Sequence, residues 1–270
     1  MAIIALHSAA TGLKALSQQL DIISNNIANA NNNGFKASRA NFEDLMYQYS
    51  EMPGTTNNAG DVRPIGIATG YGTRVSGTEL DFTQGSASLT SNPLDVFING
   101  DGFFQLKLPQ GVGNGSGLGF TRTGQFFQND KGQLVLNSNQ GYLLDPPITI
   151  PQNTTQITIG SDGRVTATVS GNSTPVQAGQ IQLAHFPNPQ GLVQIGGNVF
   201  QTSDGSGQPL LANPGDTGVG TLQQGAVEAS NVDPVTELVN LIKTQRTFEL
   251  NSQSIQAADQ MLQQLANLRH

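Results

Sequence analysis

The stretch NNIANANNNGFK (Asn25–Lys36) places six asparagines in twelve residues, directly behind leucines and isoleucines at helical spacing. Asparagine is a poor helix former whose amide competes for backbone hydrogen bonds. The tract therefore predicts that a long N-terminal helix stops within Asn31–Asn33. Gly34 is then free to take the left-handed cap, and Phe35 anchors the chain as it leaves the helix.

Behind the tract, Leu6, Leu13, Leu20 and Ile27 are spaced by seven, and Ala9, Leu16, Ile23 and Ala30 follow three positions on. This is the a/d pattern of a heptad seam. The opposite face carries Gln18, Gln19, Ser24, Asn25 and Asn26, with Lys14 and Asp21 as its charges. Such an uncharged amide face suits contact with protein more than with water. Gly12 sits inside the pattern and costs about 1 kcal/mol relative to alanine, so the helix is weak alone.

The far end mirrors the near one. Asp233 is placed to cap a helix that Pro234 opens, the favoured order of those residues. Glu237 adds negative charge near the same N-terminus, where it is favourable. Leu241, Phe248, Ile255 and Leu262 again repeat by seven, while Leu238, Ile242, Ala258 and Leu265 widen the stripe. Gln245, Ser252 and Asp259 interrupt the second row, so a plain dimeric zipper is not expected. The helix is expected to run to about Leu268.

Between the ends lies a β-rich body. DVFINGDGFFQL (Asp95–Leu106), FFQNDKGQLVL (Phe126–Leu136) and ITIGSDGRVTATV (Ile157–Val169) each set apolar runs around Asn, Asp and Gly. That is hairpin chemistry, and it predicts mainly antiparallel sheet. Residues 50–70 lack a period and carry Pro53, Gly54, Gly60, Pro64 and Gly66, the marks of an extended connection. GVGNGSGLG (Gly111–Gly119) reads as a loop tip.

The resulting expectation is an α+β fold. Long terminal helices pack as a coiled-coil-like pair (residues 1–33 with 231–270). A connecting region follows (34–75), and then a β-rich outer domain (76–230). Two terminal helices cannot cover their own apolar stripes, and copies of the same chain are the obvious cover.

Charged residues make up only 11% of the 270 residues, against roughly 25% in an average domain. The surface is built instead from Asn, Gln, Ser, Thr and Gly. A net charge of −7 without a basic run offers no electrostatic footprint for nucleic acid or anionic membrane. The chain has no cysteine, which excludes disulfides, thiolate metal sites and a cysteine nucleophile. MAIIALHSAATGLK lacks the basic lead and cleavage site of a signal peptide. No stretch has the apolar length of an integral membrane segment. His7, His185 and His270 share no motif, and no metalloprotease, phosphate-loop or nucleophile-elbow pattern is present. No catalytic residue, cofactor or metal site is expected.

Two motifs carry a resemblance. Asn26, Ile27, Ala28 and Asn29, followed by Gly34, Phe35 and Lys36, look like the N-terminal rod motif of the axial (rod and hook) proteins of the bacterial flagellum. GAVEASNVDPVTELVNLIKTQRTFELNSQSIQAADQML (Gly225–Leu262) is similar to their C-terminal pattern, with Glu228, Ser230, Asn231, Glu237, Gln245 and Arg246 among the matching residues. DVFINGDGFFQL resembles their central motif. Within the family, Phe42–Val75 looks most like the distal-rod branch; proximal rod and hook-type subunits are the nearest alternatives. A secreted β-rich adhesin or enzyme with helical oligomerisation ends is the alternative of another class.

The resemblance implies a structural role. Such chains are exported unfolded through the flagellar type III apparatus without a cleaved signal peptide. They form a homo-oligomeric helical tube in the basal body, spanning the periplasm. Their neighbours are adjacent rod and hook subunits and the surrounding bushing rings. Leu6, Leu13, Leu16, Leu20, Ile23, Ile27, Leu238, Leu241, Ile242, Phe248, Ile255, Leu262 and Leu265 are the expected self-assembly residues. On this reading Asn25, Asn26 and Asn29 offer hydrogen bonds to neighbouring subunits.

Overall fold

The computed structural model describes residues 2–56, 62, 64–109, 111–112, 115, 117–171 and 174–267, with the side chains of residues 2, 3, 265 and 266 left outside that description. The expected seam side chain Leu265, the expected helix end at Leu268 and His270 thus lie outside the described residues. The chain divides into two compact units. One comprises Met1–Ala28, Ser38–Leu80 and Asp233–His270; the other comprises Asn29–Ala37 and Asp81–Val232.

The first unit holds both helices, α1 (Ala2–Ala28) and α2 (Pro234–Asn267). It also holds four strands: β1 (Ser38–Asp44), β2 (Tyr47–Glu51), β3 (Ile67–Gly70) and β4 (Thr73–Leu80). β1 pairs with β4, and β2 pairs with β3, both antiparallel. The stretch read as an extended connection is thus flanked by strands: β2 reaches Glu51 and β3 starts at Ile67, with no strand over the described residues between them. The turn before β4 sits hard on α1: a Cβ on Gly72 would lie 2.1 Å from Thr11 Oγ1, and its φ is +110°. Only glycine permits that approach. His7 Nδ1 lies 3.2 Å from the Tyr71 carbonyl beside it.

α1 lies antiparallel to α2. Asn26 is hydrogen-bonded to Glu237, and Gly12 faces Asn251. The coiled-coil-like pair expected from the heptads is not what forms. A heptad seam buries its leucines between the two helices. Here Leu6, Leu13, Leu16 and Leu20 stay half-exposed, and the buried positions of α1 are Ala15, Ile23 and Asn26. On α2 the buried positions are Thr244 and Ala258, while Leu238 and Ile242 face solvent. The reason is that α1 divides its inner face between α2 and the β1–β4 ribbon. The broader α+β class stands.

The second unit contains the core. Its strands are β5 (Ala87–Leu89), β6 (Val96–Asn99), β7 (Phe103–Lys107), β8 (Leu118–Thr121), β9 (Phe126–Gln128), β10 (Leu134–Leu136), β11 (Leu143–Leu144) and β12 (Thr154–Ile159). They continue with β13 (Arg164–Val169), β14 (Val176–Gln180), β15 (Leu183–His185), β16 (Val193–Gly196), β17 (Val199–Gln201), β18 (Leu210–Ala212), β19 (Thr221–Gln224) and β20 (Ala226–Glu228). A nine-stranded sheet runs β16-β17-β8-β7-β11-β10-β9, with β15 joining β7 to β18. β12, β13 and β14 form a second sheet, and β6–β19 and β5–β20 are separate pairs. All of these pairings are antiparallel. Val96, Phe104, Leu106, Phe126, Leu134 and Leu183 lie at the centre of one apolar cluster. Phe82, Phe103, Phe120, Phe186 and Phe200 meet edge to face beside it, the arrangement that ring quadrupoles favour.

Two of the three expected hairpins form, β9–β10 and β12–β13. The third does not. β6 pairs with β19, and β7 with β8, β11 and β15. Gly100 and Gly102, at φ +113° and +133°, send the chain from one sheet to another instead of folding it back.

The start of α2 is as expected. Asp233 accepts from Val235 N through Oδ1 and from Thr236 Oγ1 through Oδ2. The Thr236 bond, then the Val235 bond, hold its carboxyl below the ordinary value of 3.8. A depressed carboxyl contributes stability that is complete above its unfolded value and lost as pH falls through that range. Asp233→Asn keeps the cap but removes its titration. The helical circular dichroism of the wild type is therefore expected to fall off more steeply below about pH 3.8 than that of the variant.

Candidate functional site

The N-terminal motif does not end as part of a helix. α1 stops at Ala28, and residues 29–34 form turns, with Asn32 N donating to Asn29 O and Phe35 N to Asn32 O. Gly34 is left-handed at φ +71°, six residues beyond the helix end. Phe35 and Lys36 then enter the β unit and are buried.

Lys36 is wholly enclosed, with 0% of its side chain accessible, and Glu228 is 1% accessible. Lys36 Nζ donates to Glu228 Oε1 at 2.6 Å and to the Thr83 carbonyl at 2.7 Å. Glu228 Oε1 also accepts from Gly85 N at 2.8 Å. Glu228 Oε2 lies 3.6 Å from Arg122 Nη1, whose guanidinium donates to Gly100 O and sits 5.2 Å over the Phe103 ring. Burial pushes the pKa of Lys36 down, and Glu228 pulls it part of the way back. Arg122 is lowered for the same reason, against the attraction of Glu228 and Asp101. Removing ions from water costs several kcal/mol each, and the mutual attraction repays that only when the remaining donors and acceptors are met. Thr83 O, Gly85 N and Gly100 O meet part of that need, while Arg122 Nε and Glu228 Oε2 are buried without a hydrogen-bond partner.

Backbone bonds extend the junction. Gly34 N donates to Glu228 O at 2.8 Å, and Asp81 N to Ala37 O. Asn231 Oδ1 accepts from Ala37 N, and its Nδ2 donates to Asp81 O and to Thr83 O. The N-terminal motif and the start of the C-terminal motif are thus bonded to one another.

The amides of the opening tract are used within the chain. Asn26 clasps Ser38, donating to its carbonyl and accepting from its N–H. Asn198 Nδ2 donates to Asn32 Oδ1 and to Asn33 O. The reading of Asn26 as an offer to a neighbouring subunit is accordingly corrected. Glu237 is not a free charge at the helix start. It is half-buried beside Asn26, and burial raises its pKa.

Of the remaining motif residues, Ile27 is half-buried, Ala28 is exposed and Asn29 is half-buried; Gln245 and Arg246 are exposed. Ile23 is buried, whereas Leu241, Phe248, Ile255 and Leu262 are half-exposed. Val235, Leu238, Val239 and Ile242 form a stripe at i, i+3, i+4 and i+7 on the solvent side of α2. Sequence reasoning missed Arg122, Thr83 and Gly85, and it noted Lys36 and Glu228 without a role. Opposite charges, one in each terminal motif of a charge-poor chain, were the available signal. Among the described residues no cluster of His, Cys, Asp or Glu is placed to hold a metal. No described helix is long and apolar enough to cross a membrane.

Two terminal helices and a β unit between them in the chain, with both terminal motifs bonded at one buried junction, fit a structural protein of the axial type. The comparisons agree. Residues 6–36 match the family "Flagella basal body rod protein". Residues 97–167 match "Flagellar hook protein FlgE/F/G D1 domain". Residues 223–268 match "Flagellar basal body rod FlgEFG protein C-terminal". The chain is 46% identical to the flagellar basal-body rod protein FlgG of Buchnera aphidicola from Schizaphis graminum, over 96% of both chains. It is 45% identical to FlgG of Caulobacter vibrioides, over 98% of this chain and 99% of that one. FlgG of Bacillus subtilis is 37% identical over 98% of each. The chain belongs to the flagellar basal-body rod protein family and is a structural subunit of the rod.

Gly34 tests the junction's backbone. A Cβ there would lie 2.4 Å from Thr123 Oγ1 and 2.9 Å from Thr123 N, on a left-handed residue. Gly34→Ala is expected to destabilise the β unit by about 1–3 kcal/mol, read as a lower urea midpoint with an unchanged slope.

Proposed function

We propose that this chain is the distal-rod subunit of the flagellar basal body. The near full-length match to relatives named FlgG carries the reading. Copies polymerise into a hollow helical tube that crosses the periplasm, passes torque towards the hook and leaves a central export channel. The terminal helices line the inner tube and the β unit lies outside. Adjacent rod and hook subunits and the surrounding bushing rings are its neighbours. The chain reaches its place unfolded, through the flagellar type III apparatus. Its role is mechanical and not enzymatic.

The surface of the helical unit supports this reading. The α2 stripe is bare, with Val235 70% and Val239 59% exposed. The β2–β3 ribbon presents Met46, Tyr47, Tyr49 and Ile67 to solvent. Apolar surface of this kind marks interaction sites. A patch that meets a different patch on the next copy gives an open helical assembly instead of a closed ring. On this proposal the half-exposed Leu6, Leu13, Leu16, Leu20, Ile27, Leu241, Phe248, Ile255 and Leu262 complete their burial against neighbouring copies, and Leu238 and Ile242 make their contacts only there.

Leu238→Asp with Ile242→Asp removes two outward side chains of α2 and leaves the β unit untouched. The expected result is a protein whose β unit unfolds at the wild-type midpoint but which forms no tubes by electron microscopy at high concentration. Tubes of normal length from the double variant would contradict the assignment.

A further inference from the structure

Every covalent path between the two units runs through three stretches of the β unit: residues 29–37, the chain just after residue 80, and the chain just before residue 233. Nothing in chain connectivity requires these stretches to meet, since Lys36 and Glu228 are 192 positions apart. Yet they are bonded to one another. Lys36 takes acceptors from both other stretches, Thr83 O and Glu228 Oε1. Asn231 holds Ala37 N on one side and Asp81 O on the other. Asp81 N donates to Ala37 O, and Ala229 N to Ser86 O. The backbones touch closely enough that a Cβ on Gly85 would lie 2.0 Å from Ala229 O.

We propose that Lys36, Glu228 and Asn231 form a clasp that makes the three stretches, which hold the four chain crossings, open and close as one cooperative unit. Partial opening is disfavoured because each departure strands the partners left behind. If residues 34–37 leave, Glu228 stays buried with one fewer cation, and Asp81 and Thr83 lose the lysine and the alanine they bond. If residues 228–231 leave, Lys36 keeps the Thr83 carbonyl as its acceptor and loses its paired carboxylate, with Arg122 still nearby. A buried charge with its partner removed is costlier than the intact group. Segments coupled in this way exchange and unfold together.

Hydrogen exchange on the full chain tests the clasp, with wild type compared to Lys36→Met, Asn231→Ala and Leu134→Ala. Leu134 is buried on β10 and makes no bond to the crossings, so its variant is a control for general destabilisation. In Lys36→Met, exchange is expected to rise together at 29–37, 81–86 and 228–232, by about a hundredfold or more, while β7 and β8 keep their protection. Asn231→Ala, which removes only a neutral amide and serves if the lysine variant does not fold, is expected to loosen the same three segments to a smaller degree. Leu134→Ala is expected to show no selective rise at the crossings. The clasp is overturned if only 29–37 accelerates in Lys36→Met, or if β7 and β8 accelerate equally with the crossings. Tube formation is scored separately on the wild type: its failure faults the rod reading and leaves the exchange result standing.

Discussion

A lysine ammonium shut away from water must be given a counter-charge and acceptors, or it will not stay. Lys36 is in that position, and the groups that satisfy it lie far along the chain, at Thr83 and Glu228. This requirement organises the molecule. It draws the end of the N-terminal motif into the β unit and brings β20 beside it. It also binds the chain that returns from the β1–β4 ribbon. Arg122 adds a second cation against the same carboxylate, with Phe103 beneath it. The Gly34 and Gly85 backbones come close because no side chain stands in the way.

The two units solve different problems. The β unit is self-sufficient: its strands enclose a continuous apolar cluster, and its phenylalanines meet edge to face. The helical unit buries little. Its helices pack along one another with most of their leucines still half-exposed, and its ribbons and the outer side of α2 carry bare methionine, tyrosine and aliphatic side chains. A unit built this way gains most of its stability when another surface covers it. That division of labour suits a rod subunit.

What could be read in advance follows from range. The Asp233–Pro234 start of α2 and the β9–β10 and β12–β13 hairpins are set by neighbours in sequence, and they were legible, whereas α1 stops at Ala28, ahead of the Asn31–Asn33 stop that its asparagines suggested. The β6–β7 hairpin was not, because Gly100 and Gly102 license a change of sheet as readily as a turn. The heptads misled for a related reason. A repeat of seven says that one face of a helix is apolar, but not what covers it, and the β1–β4 ribbon took part of that face. Residues 50–70 lacked a period because β3 within them and its partner β2 are largely exposed, so burial imposes no alternation there. The buried junction was the least legible feature. Lys36 and Glu228 each look like surface charges until the chain is closed around them.

A double-mutant cycle in urea tests the central claim most directly. Lys36→Met is expected to cost about 3–5 kcal/mol, because it leaves Glu228 buried without its closest cation. Glu228→Gln, which still accepts from Gly85 N, is expected to strand Lys36 and cost a similar amount. The double variant should lose clearly less than the two costs together, by about 1 kcal/mol or more. Single costs near zero, or a double variant equal to their sum within about 0.5 kcal/mol, would contradict the claim that this buried pair holds the two ends of the chain together.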